Sequence, residues 1–387
     1  MIYLNHAASG LMPDGSVHAI TQHLQAEQAR GPYLAAADAA AETQQLYALL
    51  ADLLHCQPAD IAITTGNSHG WNSVLAAMPW LPGDKVLIAQ GEWGGNVAML
   101  EQLSQRCGIA IEALPETPQG ELDMPQLALR LAQDRRIKLV ALTWVPANGA
   151  TIYPAEAVGA VCAQHGVAYV VDAAQALGHI PVDVQALQCD ALTAPGRKWL
   201  CGPRGTGVLY VRPGFLPQLQ PMMVDHQSCP ITSNGPQRRL DAAVFESAER
   251  SVALQLGLKA ALENTLATGG WAARFAALAH SGGHLRQALA SLPHVQLHDR
   301  NAAASDCALV AFSVAGYTAR QVQQLLLRQG ISVAVSGMGF TPRDMQSRGL
   351  RSVVRASVGW QTSEADLAAL RTALEAMADA GAAPAAA

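Results

Sequence analysis

VVDAAQALGHIPVDVQALQCDALTAPGRKWLCGPRGTG, residues 170–207, is the stretch on which the reading of this chain turns. An apolar strand, Val167-Ala168-Tyr169-Val170-Val171, runs into Asp172, with Gln175 three residues on. A lone lysine, Lys198, follows 26 residues after Asp172, with Arg197 before it and the glycine-rich Gly202-Pro203-Arg204-Gly205-Thr206-Gly207 after it. An acid at a strand end, a lysine on a tight turn and a phosphate-sized anion site together suit pyridoxal phosphate (PLP). The lysine forms a Schiff base, and the acid keeps the pyridine nitrogen protonated so that the ring can draw electrons. Taken singly, a strand-end Asp can cap a loop and a Lys can sit on the surface, so the combination carries the reading.

Outward from this stretch, short apolar strands alternate with helical segments. Strands are expected at Ile61–Thr65, Lys85–Ala89, Ile109–Leu114, Lys138–Leu142 and Val208–Val211, with helices around 97–107, 124–134 and 154–165. Continuous apolar strands separated by helices predict an α/β fold with a mainly parallel sheet covered on both faces. Beyond about residue 250 the pattern changes to a long helical region over roughly 249–291. Strands at Ala308–Ser313, Ile331–Val335 and Ser352–Ser357 follow, with helices over 318–329 and from Ser363. This predicts a smaller α/β unit packed on the first.

Four further segments contribute candidate site residues. Gly66, Asn67 and Ser68 stand between a strand and a helix, where backbone N–H groups and short polar side chains make a phosphate site. They also make an ordinary turn and cap. Trp93, in Glu92-Trp93-Gly94-Gly95-Asn96, can stack on a pyridine ring or pack in a core. Asn148 follows a strand and can reach a cofactor oxygen or a substrate carboxylate, or can simply form an Asn-Gly turn. Arg355 interrupts the apolar strand Val353-Val354-Arg355-Ala356-Ser357 and needs an anionic partner, either a substrate α-carboxylate or a structural acid.

The bulk composition excludes several classes. Of 387 residues, 50% are hydrophobic and 14% charged, with a net charge of −5, so neither a nucleic-acid nor a membrane-surface partner is implied. No run of 18 apolar residues or signal-like N-terminus occurs, and the seven cysteines show no metal-ligand spacing. A reduced, cytoplasmic protein with no metal is expected, and the terminal GAAPAAA from Gly381 reads as a frayed tail. A dinucleotide-binding reading of Gly202–Gly207 fails, because this loop precedes a strand where such a motif would open a helix.

The chain resembles the class V aminotransferase group of fold-type I PLP enzymes, which includes cysteine desulfurases, selenocysteine lyases, isopenicillin-N-epimerase-like proteins and hercynylcysteine sulfoxide lyases. The likeness runs from Tyr3-Leu4-Asn5-His6-Ala7-Ala8 to Thr362-Ser363-Glu364. It is most specific at Asp172-Ala173-Ala174-Gln175, Arg197-Lys198 and Gly202–Gly207. It implies the fold-type I PLP-dependent transferase fold, with a large PLP domain over 16–250 and a small C-terminal domain over 251–387 joined by the N-terminal segment 1–15. A homodimer with active sites at the subunit interface is also implied. The resemblance assigns Lys198 to the Schiff base, Asp172 to the ring nitrogen, Gln175 to the phenolic oxygen and Arg355 to the substrate carboxylate.

Departures from the pattern bear on the reaction. Desulfurases carry a His at the Trp93 position and a Cys in the small-domain loop. Here that loop, Ser336-Gly337-Met338-Gly339-Phe340-Thr341, has none. Arg197, Arg204 and the segment Asp344–Leu350 resemble the epimerase and sulfoxide-lyase branch. Pro195 stands where many relatives carry a phosphate-binding hydroxyl, a loss for which Arg197 can compensate. These features predict α,β-elimination from an S-substituted cysteine or its sulfoxide, with transamination or epimerisation as the alternative, and argue against persulfide formation.

Overall fold

The computed structural model describes residues 1–299 and 307–381, so the expected tail lies outside the described residues except for Gly381. In chain order, β1 (Ile2–Tyr3) leads to α1 (Asp14–Arg30), α2 (Pro32–Asp38) and α3 (Ala40–Leu54). The alternating region follows as β2 (Ile61–Thr64), α4 (Asn67–Ala77), β3 (Lys85–Ile88), α5 (Gly94–Cys107), β4 (Ala110–Ala113), α6 (Met124–Gln133) and β5 (Ile137–Thr143). It continues through α7 (Ala155–His165), β6 (Ala168–Asp172), α8 (Val184–Leu187), β7 (Ala191–Pro195) and β8 (Gly207–Val211). A hairpin of β9 (Ile231–Thr232) and β10 (Gly235–Pro236) precedes α9 (Val252–Ala267) and α10 (Gly270–Ala290). The C-terminal part comprises β11 (Val295–Leu297), β12 (Leu309–Val314), α11 (Ala319–Arg328), β13 (Ile331–Ser332), β14 (Ala334–Gly337), α12 (Pro342–Ser347), β15 (Ser352–Ser357) and α13 (Glu364–Gly381).

Seven strands form the central sheet in the order β2-β8-β7-β6-β5-β3-β4. The run from β7 to β4 is parallel, whereas β8 is antiparallel to both β7 and β2. Because successive strand residues point to opposite faces, β5 sends Val140 and Leu142 into one apolar core and Leu139 and Ala141 into another. Helix α3 and Val158 and Cys162 of α7 join the first core, while Trp71 and Val74 of α4 and Leu100 and Leu103 of α5 join the second. Burial on both faces explains why these strands read as continuous apolar runs.

The expected α/β fold is present, and its differences from the sequence reading have local causes. Strand β7, Ala191-Leu192-Thr193-Ala194-Pro195, was not anticipated: it is alanine-rich and ends on proline, and its place between β6 and β8 makes it a strand. The helical region over 249–291 is two helices, broken at Gly269, whose φ of 112° lies in the left-handed region that favours glycine. The single strand expected at Ile331–Val335 is split at Val333. Its first half pairs with β1 and its second joins the four-stranded sheet β11-β12-β15-β14.

The parallel strands set where polar groups gather. Thr143, at the end of β5, lies in register with Asp172 at the end of β6, and Asp172 with Thr193 near the end of β7. The carboxyl ends of parallel strands form the crevice where ligands bind in such sheets. The N-terminal segment ties both sheets together. Ile2 and Tyr3 pair with β13, Asn5 bridges to Ser357 of β15, and the Gly10 N–H donates to the Arg197 carbonyl at 2.8 Å.

Gly159 tests this packing. A Cβ there would fall on the Leu187 carbonyl oxygen, which is backbone and cannot rotate away. Gly→Ala normally stabilises a helix interior by about 1 kcal/mol. Gly159→Ala in α7 should instead destabilise the protein by about 2 kcal/mol or more through overpacking, read by denaturant unfolding.

Candidate active site

Strand β6 delivers Asp172 to the sheet's carboxyl edge with 1% of its surface exposed. Its Oδ1 accepts the Ala174 N–H at 2.9 Å, and its Oδ2 accepts the side-chain amides of Asn67 at 2.9 Å and Asn96 at 2.8 Å. The two asparagines stand in the first turns of α4 and α5. Three donors replace the water that burial removes from this carboxylate.

Lys198 lies on the turn after β7, its ammonium opening on a cavity of about 330 Å³ and enclosed by protein on its other sides. Nζ has no hydrogen-bond partner among the described residues. Burial brings the amine down to about 7; Asp172 opposes that shift, while Arg197 and Arg355 reinforce it. The Trp93 ring centroid lies 5.9 Å from Nζ. Gly66, Asn67, Ser68, Trp93, Asp172, Gln175, Arg197 and Lys198, all singled out in the sequence, line this one cavity, and so do Arg204 and Pro195.

Glycine geometry lets the walls meet. A Cβ on Gly207 would lie 2.6 Å from the Gly66 carbonyl carbon and 2.7 Å from its Cα, so β8 can reach the β2–α4 turn only without a side chain there. On the opposite wall, Gln175 is held at both ends: Nε2 donates to the Ala7 carbonyl and Oε1 accepts from Trp199 Nε1, at 2.9 and 2.7 Å. One Nε2 hydrogen remains for a ligand. The Arg197 guanidinium donates to the Ala8 carbonyl, and burial and the neighbouring Arg204 both lower its proton affinity.

Asn148 and Arg355 are buried next to the lining residue Ala147 and do not themselves line the cavity. The Asn148 amide donates to the Gly337 carbonyl at 3.2 Å, and its Oδ1 is buried without a partner. Arg355 is 3% exposed, and its Nη1 donates to the carbonyl of the cavity residue Ala147 at 3.0 Å. It has no carboxylate partner among the described residues, its Nε is unpartnered, and burial lowers it to about 10.

Sequence reasoning missed the residues that support these. Phe340 packs edge-on against Trp93 at 5.2 Å and lies 5.9 Å from the Arg355 guanidinium, while its carbonyl accepts the Gly94 N–H at 2.8 Å. Glu92 and Asn96 lie within the quoted Glu92–Asn96 segment; their four-residue spacing, one helical turn, was the available signal. Glu92 is fully buried and pushed up to about 7, mainly by burial.

Comparison with known proteins places this geometry in a family. The profile described as "Aminotransferase class-V" matches residues 2–370. The chain is 32% identical to a cysteine desulfurase of Dickeya dadantii, across 92% of this chain and 87% of that protein. It is also 32% identical to a probable hercynylcysteine sulfoxide lyase of Mycobacterium tuberculosis, across 75% and 69%. Among solved structures, the cystine C–S lyase C-DES superposes with a TM-score of 0.86 at 27% identity over 96% of each chain. That structure is a complex with the lyase's product, cysteine persulfide. A mutant of C-DES was solved with glycine covalently linked to its PLP cofactor. The chain belongs to the class V aminotransferases, and it is a PLP-dependent enzyme.

The residues present fit that cofactor. The cavity is lined by an amine with no hydrogen-bond partner among the described residues, a carboxylate, the start of α4 and two arginines. The buried Asn67 Oδ1 there has no protein partner.

The amine's lowered proton affinity gives a pH test. Only the neutral amine is nucleophilic, and at Lys198 half of it is neutral near pH 7. Capture of PLP by the cofactor-free protein, followed by visible absorbance, should accelerate up to about pH 7 and then level off. An ordinary lysine would keep accelerating towards about pH 10, and such a profile would contradict this environment.

Proposed function

We propose that this chain is a C–S lyase, cleaving the Cβ–S bond of an S-substituted cysteine or its sulfoxide by α,β-elimination. The observation that carries this reading is that none of the seven cysteines lines the cavity, while the amine of Lys198 opens on it. Persulfide transfer needs a thiol to accept sulfur. The loop Ser336–Thr341, which meets the site through Gly337 and Phe340, carries Met338 and Phe340 instead. The C–S lyase relative C-DES and the sulfoxide lyase relative support the same class.

In this reading residues 16–250 form the cofactor-binding unit and 251–387 the smaller one, joined by residues 1–15. The protein works as a cytoplasmic homodimer. Lys198 would hold PLP covalently, with Asp172 available to its ring nitrogen, Gln175 to its phenolic oxygen and Trp93 to its ring. Gly66, Asn67, Ser68 and Arg197 surround its phosphate. PLP, when bound, supplies the electron sink that makes the substrate Cα–H acidic. Arg355 receives the α-carboxylate through its planar fork of donors, with Asn148 beside it. Lys198, whose amine is half neutral near pH 7, would take the Cα proton. The sulfur fragment leaves Cβ with the bonding pair, and the released 2-aminoacrylate hydrolyses to pyruvate and ammonia. Trp93 offers no readily transferred proton, so Lys198 also manages proton delivery near the leaving group. A sulfoxide is the favoured substrate, because the sulfenate it expels leaves without prior protonation more readily than the thiolate of a high-pKa thiol.

Pyruvate should therefore form from S-substituted cysteine sulfoxides with no keto acid added, measured by coupled lactate dehydrogenase. Accumulation of pyridoxamine phosphate that clears only with a keto acid would show transamination in its place.

Arg355→Lys separates carboxylate binding from architecture. KM for the amino acid should rise by about tenfold or more, as expected for losing a bidentate charge-assisted contact, while PLP affinity holds. Equal loss of both would make Arg355 a structural residue.

A further inference from the structure

Glu92 is fully buried, and no role assigned above uses it. Its hydrogen bonds all come from neutral donors. Oε1 accepts Asn96 Nδ2 at 2.8 Å and the Thr143 hydroxyl at 2.7 Å, and Oε2 accepts the Thr143 N–H at 2.9 Å. Both neighbours lead to the cavity. The Asn96 amide also donates to Asp172 Oδ2 at 2.8 Å, and the Thr143 hydroxyl, having given its proton to Glu92, accepts the Trp93 backbone N–H at 3.1 Å.

We propose that Glu92 is a positioning residue that holds both flanks of the cofactor, orienting Asp172 through the Asn96 amide and Trp93 through the Thr143 hydroxyl. The inference rests on the reading that Asp172 faces the ring nitrogen and Trp93 the ring. Its physical basis is donor counting. Three donors converge on two oxygens, and only a carboxylate accepts on both. In Glu92→Gln one side presents an NH2 group. Facing Thr143, it opposes the backbone N–H and disturbs the anchor of Trp93. Facing Asn96, it turns that amide away and removes a donor from Asp172. One flank is released either way.

The charge acts in the same direction. Asp172 adds to burial in raising the Glu92 carboxyl, and Glu92 in turn raises the buried Tyr169 hydroxyl. Asp172 in turn raises the proton affinity of Lys198. Above about pH 7, where Glu92 is mainly ionised, its negative charge favours protons on groups near it, so its removal should lower their proton affinity.

The test uses the PLP-loaded wild type, Glu92→Gln, Asn96→Leu and the double variant. We expect Glu92→Gln to weaken PLP binding on the order of tenfold through the unsatisfied donor. The pH midpoint of the cofactor's visible band should fall by about half a unit or more through loss of the charge. Asn96→Leu, which leaves Glu92 and Thr143 in place, should also move the midpoint, and the double variant should shift it by less than the sum of the singles. An unmoved midpoint in Asn96→Leu, or additive effects, would overturn the proposal even if Glu92→Gln fails to fold. The cofactor reading is tested separately by borohydride reduction of the wild type, which should label Lys198. Absence of a visible band or of that label in the wild type counts against the cofactor reading. A normal wild type with unmoved variants counts against the role of Glu92 alone.

Discussion

A carboxylate buried at the end of a central parallel strand is the constraint around which the site is organised. Asp172 cannot keep its charge without donors, because desolvating an ionised carboxyl costs far more than any one contact returns. The donors come from the first turns of α4 and α5 and from the turn after β6. Satisfying one anion therefore draws two helix starts and the turn after β6 to a single point. The same convergence leaves the amides of α4 facing the cavity, where they can serve an anionic ligand.

Around that carboxylate the site sets four basic side chains. Lys198, Arg197, Arg204 and Arg355 lie near enough to act on one another, and burial together with mutual repulsion lowers the proton affinity of Lys198, Arg197 and Arg355. Among the described residues no acid pairs with Arg355, and its guanidinium meets the Ala147 carbonyl and the Phe340 ring instead. Under the proposed reading an anionic phosphate and a substrate carboxylate relieve this repulsion in turn.

Connectivity explains how a residue on the second sheet reaches a site built on the first. Phe340 touches both Trp93 and the Arg355 guanidinium, and the N-terminal segment pairs with β13 before supporting Arg197 and Gln175 through the Ala7, Ala8 and Gly10 backbone. Movement of the C-terminal sheet would therefore be felt at both walls of the cavity.

The sequence by itself determined the alternation of apolar strands and helices, and with it the covered parallel sheet. It also marked the strand-end acid, the lysine and the glycine loop, because each depends on local chemistry at fixed spacing. Eight of the ten residues named from it line one cavity. Tertiary structure alone decided the rest. Strand β7 exists because β6 and β8 flank it, and the segment at Val333 divides because two different sheets compete for its backbone. Asn148 and Arg355 are buried next to the cavity lining, and Glu92 and Phe340 enter the site's support, through contacts between residues about 50 to 250 positions apart. Local patterns report which backbone conformation a residue prefers. They carry no record of which distant donor will meet a buried charge, since that depends on how the packed layers superimpose.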